Sequence, residues 1–431
     1  MSPRARLSAS AKRTFLSMRI SRNFRLYLFG QLVSATGTWV NATASSWLVL
    51  QLTHSGVALG VNVALLFLPM LLLGAWGGVL ADRYDKRRIL IWTQSAFAAT
   101  AFAMFAIVAT DVVQLWMVYV LSVIAGGFMA LDNPARQSFY IEMVGEDAVT
   151  NAVSLNSAAF TGARVLGPAL AGVLIAKVGI QWPFLLDGCS YLAVILALVL
   201  MRPAEFHVQA KSTRTRGHMK AGLQYAWRTD GLRRPLIVMA VVFTFSLNFP
   251  VLLPLLAKRT FHGDAGTFGA LSALAGLGSF IGAMVLANRD RRPSMYRLAI
   301  FCVATGLALV AIGLAPALPF ALFAMVPLGF AFMAFMITGN TMLQLNAAPQ
   351  ARGRVMALYG IVFLGSTPIG SPIAGWIAEI NPVWGPRLGL VGGGAVALAM
   401  GFGLLWQRRR SEDADVVSEG VVEAPLPATA G

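Results

Sequence analysis

The chain has 431 residues, of which 57% are hydrophobic and only 12% are charged. Because soluble proteins carry about 25% charged residues, this composition excludes an ordinary soluble domain and indicates a membrane protein. The formal net charge of +16 would suit a nucleic-acid partner. The two cysteines, Cys189 and Cys302, both lie in apolar segments, which excludes a disulfide framework.

The amino terminus predicts a cytoplasmic tail that leads directly into membrane helices. Residues 1–25 contain seven basic side chains and no apolar run of the kind that a cleaved signal needs. No Asp, Glu, Lys or Arg occurs between Arg25 and Asp82, whereas a membrane-spanning helix needs only about 20 residues. This run therefore predicts two spans and the turn between them.

Charges, prolines and polar clusters divide the rest of the chain in the same way. The twelve predicted spans are residues 26–50, 57–80, 89–110, 114–135, 150–175, 182–201, 235–256, 266–287, 297–315, 318–342, 355–379 and 387–406. The predicted organisation is a basic tail (1–25), a first six-helix half (26–201), a central cytoplasmic loop (202–234), a second half (235–407) and a disordered cytoplasmic tail (408–431). Within the central loop, residues 219–234 predict a short helix on the inner membrane surface.

The basic residues favour one side of the predicted membrane. Of the 34 basic residues, Lys177, Lys258, Arg259 and Arg387 fall in outer loops and Arg164 lies within a span, while the others belong to inner segments. This bias follows the positive-inside rule and predicts a multi-pass protein of the cell membrane with both termini cytoplasmic. Contact with anionic membrane lipid accounts for the net charge, so no nucleic-acid partner is expected.

Two sequence matches relate the halves to each other. A shift of 206 residues aligns VLADR (79–83) with VLANR (285–289), and a shift of 203 aligns GARVLGPALAG (162–172) with GSTPIGSPIAG (365–375). Chance matches would have no reason to occur at nearly the same offset, so we expect the halves to descend from a duplication. Repeated halves are typical of secondary transporters, whose substrate site lies between the halves near the membrane midplane.

Two of these segments resemble motifs of the major facilitator superfamily. GVLADRYDKRR (78–88) is similar to its signature loop, and GARVLGPALAG is similar to the fifth-helix motif of its proton-coupled exporters. The wider sequence resembles the drug and siderophore exporter branch, which includes the enterobactin exporter and macrolide efflux proteins. The resemblance implies an all-α membrane fold of twelve transmembrane helices in two pseudo-symmetric six-helix halves. It also implies a monomer without a cofactor, in a bacterial inner membrane, that exports small organic molecules by alternating access coupled to proton influx.

The signature loop carries the predicted cytoplasmic gate. By resemblance, Asp82 bridges to the start of the eleventh helix near Gly353, where a helix N-terminus attracts an anion, and so stabilises the outward-open state. Arg83, Arg87 and Arg88 are expected to pair with Asp132. The predicted gate consists of Gly78, Asp82, Arg83, Arg87, Asp132, Asn288, Arg289 and Gly353, with Asn288 in the place of the aspartate in the second copy. The alternative for its basic residues is a solvated, positive-inside loop.

The fifth span combines glycines, a proline and a charge. Its motif residues are Gly162, Arg164, Gly167, Pro168 and Gly172. Small residues let helices approach closely, and proline bends a membrane helix. The segment is therefore either ordinary helix packing or, by resemblance, a kinked hinge that seals the halves and limits proton leak.

Charged and polar residues inside spans are costly there and are functional candidates. Asp187 is the first candidate for a proton-carrying acid and Arg164 is the second coupling candidate; for Asp187 a structural role is the alternative. Polar residues that face either other helices or the substrate cavity are Gln31, Asn41, Asn62, Gln94, Asn156, Asn248 and Asn340.

Other functional classes fit the sequence less well. All four histidines lie in predicted loops, and no metal-spaced or nucleophile–base pattern occurs, so an enzyme is not expected. An ATP-driven pump would need a partner subunit, because the chain has no phosphate-loop pattern. Metabolite uptake or facilitated transport by the same fold is the alternative to export.

Overall fold

The computed structural model describes residues 16–207, 218–287, 293–348 and 351–422. Within these ranges the chain is helical apart from short connections, and no strand occurs there. The helices are α1 (Leu16–Ile20), α2 (Arg22–Thr53), α3 (Gly56–Arg83), α4 (Lys86–Ala109), α5 (Leu115–Val144), α6 (Val149–Lys177), α7 (Trp182–Val199), α8 (His218–Arg228), α9 (Asp230–Ser246), α10 (Phe249–Leu255), α11 (Ala265–Ala287), α12 (Met295–Gly313), α13 (Leu318–Asn346), α14 (Arg352–Glu379) and α15 (Gly385–Val422).

Eleven helical segments of the described chain are long and apolar enough to cross a membrane. They are α3 to α7, α9 continued through α10, and α11 to α15. The twelfth is α2, whose 32 residues measure about 48 Å at 1.5 Å per residue, more than the roughly 30 Å of a bilayer core. Serines, threonines, Gln31 and Asn41 make α2 more polar than the others. The predicted fold of twelve membrane helices is confirmed.

The seventh span is a broken helix. α9 ends at Ser246 and α10 begins at Phe249, within the single span predicted over residues 235–256. Pro250 has no N–H to donate to the carbonyl of Ser246, so the hydrogen bond that would continue α9 is missing. A π-helical turn, Leu256–Thr260, completes this crossing.

The last helix runs further than the sequence predicts. α15 continues to Val422, so the structure differs from the disordered tail predicted from residue 408. The sequence explains the difference, because residues 404–419 contain neither glycine nor proline, the two residues that most disfavour a helix. Residues 423–431 lie outside the described ranges.

The central loop contains the short helix that its sequence predicts. α8 places Ala226 in the core of the second half and leaves Trp227 exposed. The phenolic oxygen of Tyr225 accepts a hydrogen bond from the backbone N–H of Ala348 at 3.1 Å. These contacts attach α8 to the end of α13 instead of leaving it as a separate loop element.

The long helices end at two faces, which we name by their connections. The basic face comprises the connections at residues 83–86, 144–149, 199–207 and 346–352, together with α8. The opposite face comprises the connections at residues 53–56, 109–115, 177–182, 260–265, 313–318 and 379–385. The predicted gate loop, 82–88, therefore lies on the basic face.

The two halves use equivalent helix pairings. In the first half α3 packs on α5 and α4 on α7; in the second half α11 packs on α13 and α12 on α15. Between the halves, α3 packs on α14 and α6 packs on α11. A shift of six spans converts each pairing into its counterpart, which is the pseudo-symmetry that the repeated motifs predict.

The buried apolar side chains of the described chain form one core that joins the halves and three clusters that do not, the smallest of them around Tyr191 in the first half. The joining core lies near the opposite face and includes Trp47, Phe184, Phe268 and Ala374, from both halves. Near the basic face, one cluster belongs to the first half alone, with Tyr27, Phe139 and Leu198 among its members. Another belongs to the second half alone, including Phe243, Phe335 and Val355. Apolar burial therefore holds the halves together at one face and not at the other.

Candidate functional site

Glycines bring the backbones of the two halves into contact near the opposite face. A Cβ added at Gly56 would lie 2.9 Å from the carbonyl oxygen of Gly375, and one at Gly60 would overlap the carbonyl of Ser371. Further along, a Cβ at Gly365 would lie 3.0 Å from a methyl group of Leu71. Only the missing side chains allow α3 and α14 to approach this closely.

The fifth-helix motif contributes to the second contact between the halves. A Cβ at Gly172 would lie 3.0 Å from the carbonyl oxygen of Ala265 in α11, and the carbonyl of Pro168 lies 2.5 Å from the Cβ position of Gly269. Gly167 instead faces α2 within the first half, and the Cβ position of Gly162 has no heavy atom within 4 Å. The glycines of the motif therefore do not all face the same helix: Gly172 faces α11 and Gly167 faces α2.

A carboxylate closes the opposite face, and the sequence did not predict its partners. Glu379, at the end of α14, accepts hydrogen bonds from the hydroxyl of Ser55 at 2.9 Å and from the backbone N–H of Gly56 at the start of α3. Arg259 of the second half lies 3.6 Å from Glu379 and donates to the backbone carbonyl of His54 in the first half. An anion at a helix N-terminus is favourable, so Glu379 ties the two halves together.

On the basic face, three glycines of α3 and α14 have open surroundings. The Cβ positions of Gly74, Gly353 and Gly360 have no heavy atom within 4 Å. Asp82 is partly buried at the end of α3, and Arg83 beside it is exposed. Gly78 of α3 is also partly buried, whereas Asn288 and Arg289 lie outside the described residues. Gly353, the predicted partner of Asp82, therefore has no neighbour packed against its Cβ position.

Asp132 is buried in a pairing different from the predicted one. Its carboxylate accepts hydrogen bonds from the hydroxyl of Thr93 at 2.7 Å and the amide of Gln94 at 2.9 Å. Arg136, one turn further along α5, donates through Nε at 3.0 Å and through a terminal nitrogen. Arg87, the expected partner, instead donates to backbone carbonyls at the end of α7 at 2.7 and 3.1 Å. Gln94, a cavity candidate, therefore belongs to this buried cluster.

Two residues predicted for different roles meet in the middle of the first half. Asp187 of α7 is fully buried, and the side-chain amide of Asn41 of α2 donates to its carboxylate at 2.6 Å. Ser190 lies 3.5 Å from the other carboxylate oxygen, and Ser45 donates to Asn41 at 2.8 Å. No basic side chain of the described chain forms an ion pair with Asp187, so no salt bridge joins Asp187 to Arg164.

Arg164 lies between aromatic rings from both halves. The central carbon of its guanidinium lies 5.3 Å from the ring centre of Trp39 in α2 and 5.7 Å from that of Phe332 in α13. All three residues stand near the middle of their helices, 13 to 17 residues from either end. The cation is therefore at mid-depth, at the boundary between the halves.

Two of the other cavity candidates, Asn62 and Asn248, hydrogen-bond to a neighbouring helix. Asn62 accepts a hydrogen bond from Ser122 at 2.8 Å, whereas Asn340 accepts one at 2.6 Å from Gln344 of its own helix. Asn248 donates to the carbonyl of Thr244, accepts from Ser371, and lines a small apolar cavity between α9, α14 and α15. Gln31 is buried and Asn156 is partly buried.

Comparison with known proteins shows a transporter family. A family model described as "transmembrane secretion effector" matches residues 14–430. The staphyloferrin A transporter of Staphylococcus aureus is 27% identical over 352 residues, which are 80% of this chain and 86% of that protein. The multidrug efflux pump Tap of Mycolicibacterium fortuitum is 26% identical over 366 residues, 82% and 88% of the two chains.

A solved structure shows the same fold. The crystal structure of a bacterial homologue of the human lysosomal transporter Spinster, in an inward-facing and unoccupied conformation, superposes with a TM-score of 0.69. The match covers 89% of this chain and 97% of that one at 16% sequence identity.

Proposed function

This chain belongs to the transmembrane secretion effector family of major facilitator superfamily transporters, and on that premise we propose that it exports small organic molecules by alternating access coupled to proton influx. Its relatives include proteins named for siderophore transport and for drug efflux, which support the direction and the cargo class. It is a multi-pass membrane protein and not an enzyme. We assign the basic face to the cytoplasm, following the positive-inside rule.

One observation carries the alternating-access proposal: the halves share an apolar core near the opposite face and have separate cores near the basic face. A transporter of this kind rocks its halves about a central site, so that one face is closed while the other is open. With the basic face in the cytoplasm, the arrangement described here is the inward-open state.

The closing contacts of the two states are proposed to be related by symmetry. α3 and α14 run antiparallel, so the C-terminal end of each points toward the face at which the other begins. Glu379 of α14 caps α3 on the opposite face, and we propose that Asp82 of α3 caps α14 near Gly353 when the basic face closes. Gly78, Arg83 and Arg87 would accompany Asp82, and the Gly162–Gly172 motif would bend as the halves rock.

We expect Glu379→Gln to loosen the closed opposite face. The substitution keeps the shape but removes the charge that Arg259 and the start of α3 attract, an effect of about 1 kcal/mol for a partly exposed group. The population with an open opposite face should rise roughly fivefold. It is measured as labelling, by a membrane-impermeant thiol reagent, of a cysteine introduced at Ala374, which is buried in the core that joins the halves, in a background without the two native cysteines. Glu205→Gln, which alters an ion pair on the basic face, is the matched control and should leave labelling unchanged.

Asp187 is proposed to carry the transported proton, because it is a buried acid whose partners are neutral amides and hydroxyls. We expect Asp187→Asn to reduce substrate-driven proton release from acidified everted vesicles at least tenfold, in a panel of lipophilic cations, macrolides and siderophores. Asp147→Asn removes an exposed acid on the basic face and should retain wild-type rates.

Two results would contradict the proposal in different ways. Proton release that persists in Asp187→Asn would remove the role of this acid while leaving export intact. Accumulation of a compound in right-side-out vesicles, with no movement into everted ones, would favour metabolite uptake over export.

A further inference from the structure

Arg164 is a partly buried cation for which the described chain supplies no anion. Two other partly buried guanidinium groups have acidic partners: that of Arg136 is paired with Asp132, and that of Arg259 lies beside Glu379. No acidic side chain of the described residues lies within ion-pair distance of Arg164, and no hydrogen bond from its guanidinium to them is observed. A charge at the middle of a membrane is costly, and such residues usually pair or serve the transported ligand.

The two rings beside Arg164 stabilise its charge but do not use its donors. The guanidinium lies over the faces of the Trp39 and Phe332 rings, a cation–π arrangement. Its five N–H donors form a planar fork whose geometry matches a carboxylate or phosphate. Neither ring carries a negative charge, so these contacts leave the guanidinium without an anionic partner.

A second donor at the same place also lacks an acceptor. The indole N–H of Trp39 is buried and has no hydrogen-bond partner among the described residues. Buried donors are nearly always paired, and an exception calls for an explanation. Two donors without acceptors, one of them charged, are explained together by a ligand that brings negative charge and hydrogen-bond acceptors.

The location of the pair matches that of a transported ligand. Arg164 and Trp39 belong to the first half and Phe332 to the second, all at mid-depth. Immediately beside them, the carbonyl of Arg164 lies 2.6 Å from the Cβ position of Gly276, at a contact between α6 and α11. A ligand bound here would touch both halves where they pivot, and could bias their equilibrium.

We propose that Arg164 is the anion-binding residue of the transport site, and that the cargo is an organic anion whose acidic group sits against this guanidinium beside an apolar or aromatic body. The proposal rests on the proposed transport function and adds the charge class of the substrate. It differs from the proton-coupling role that the sequence suggests for Arg164, because here the residue binds cargo.

The test compares two probes that share an aromatic body and differ in charge. Anilinonaphthalene sulfonate is anionic and phenylnaphthylamine is neutral, and both report binding by their fluorescence. The wild-type protein, in nanodiscs of zwitterionic lipid, should bind the anionic probe at least tenfold more tightly than empty nanodiscs do. Arg164→Gln should weaken binding of the anionic probe at least tenfold and change that of the neutral probe less than twofold.

A second guanidinium of similar surroundings provides the control. Arg387 lies 5.2 Å from the ring centre of Trp384 and 6.0 Å from that of Phe261, but it belongs to the opposite face. Arg387→Gln should bind both probes as the wild type does. Arg164→Lys keeps the charge without the planar fork and should retain part of the preference for the anion.

Each outcome decides the question. Equal weakening of both probes by Arg164→Gln, or no weakening of either, would overturn the assignment. If Arg164→Gln does not fold, the wild-type protein is tested alone. It should prefer the anionic probe to the neutral one, and benzoate should abolish this preference by competition. A wild-type protein without the preference would overturn the proposal. Binding needs no gradient and no direction, so a protein that selects anions but fails to export contradicts only the transport proposal.

Discussion

Asp132→Ala is expected to destabilise the protein by about 3–5 kcal/mol, the range observed when one partner of a buried ion pair is removed. Asp132 is 2% exposed and accepts hydrogen bonds from Thr93, Gln94 and Arg136. Without the carboxylate, the Arg136 guanidinium keeps its charge among apolar and aromatic neighbours. Unfolding in mixed detergent micelles, followed by far-ultraviolet circular dichroism against the fraction of sodium dodecyl sulfate, measures the loss.

A double substitution separates the lost ion pair from lost packing. Adding Arg136→Met to Asp132→Ala removes the unpaired charge and should recover at least half of the stability. The matched control is Asp230→Ala, which breaks an ion pair with Arg233 at the start of α9 where both side chains are exposed to water. That change should cost less than about 1 kcal/mol. Similar losses for the two alanine variants would show that burial does not set the strength of the Asp132 pair.

Gly60→Val is expected to reduce transport at least about fivefold without preventing folding. Any side chain at Gly60 overlaps the backbone carbonyl of Ser371, so α3 and α14 can no longer meet near the opposite face. Overpacking of this kind costs about 1–3 kcal/mol, and here the cost falls on the closed opposite face alone. The transport cycle must pass through the state in which the opposite face is closed, so the transport rate falls as that state becomes less stable. The rate of transport into everted vesicles measures this effect.

Distance measurements distinguish a blocked closure from general damage. Spin labels attached to Leu52→Cys and Ile380→Cys, both exposed on the opposite face, should move apart in Gly60→Val, in a background without the two native cysteines. Gly403→Val is the control, because the Cβ position of Gly403 has no heavy atom within 4 Å. An unchanged distance together with lost transport would contradict this explanation.

The membrane helices and their symmetry could be predicted because both follow from local sequence. Uncharged runs about 20 residues long have few alternatives to membrane helices, and duplicated motifs preserve their spacing. The break in the seventh span was also predictable, since Pro250 and Pro254 lie in the last third of the segment 235–256, which was predicted as one helix. The continuation of α15 differs from the predicted disorder. Residues 404–419 contain neither glycine nor proline, so they favour a helix even though many of them are charged.

The pairings at the site were less predictable because they depend on how helices pack. Asp132 and Arg136 stand four residues apart on one helix, a spacing that signals a pair, whereas the motif directed attention to Arg87. Glu379 reaches the start of α3 only because two distant helices run antiparallel. Phe332 is one of 26 phenylalanines, and nothing local marks it as the residue that faces Arg164.

The unpaired guanidinium at mid-depth has an electrical consequence. If Arg164 binds an anion, the loaded centre is neutral and the empty centre carries one positive charge. Membrane voltage then acts chiefly on the empty carrier, with up to about 2.3 kcal/mol per elementary charge for each 100 mV. In a cell with a negative interior, the voltage draws the empty centre toward the cytoplasm, so the membrane potential itself would reset the carrier for its next load.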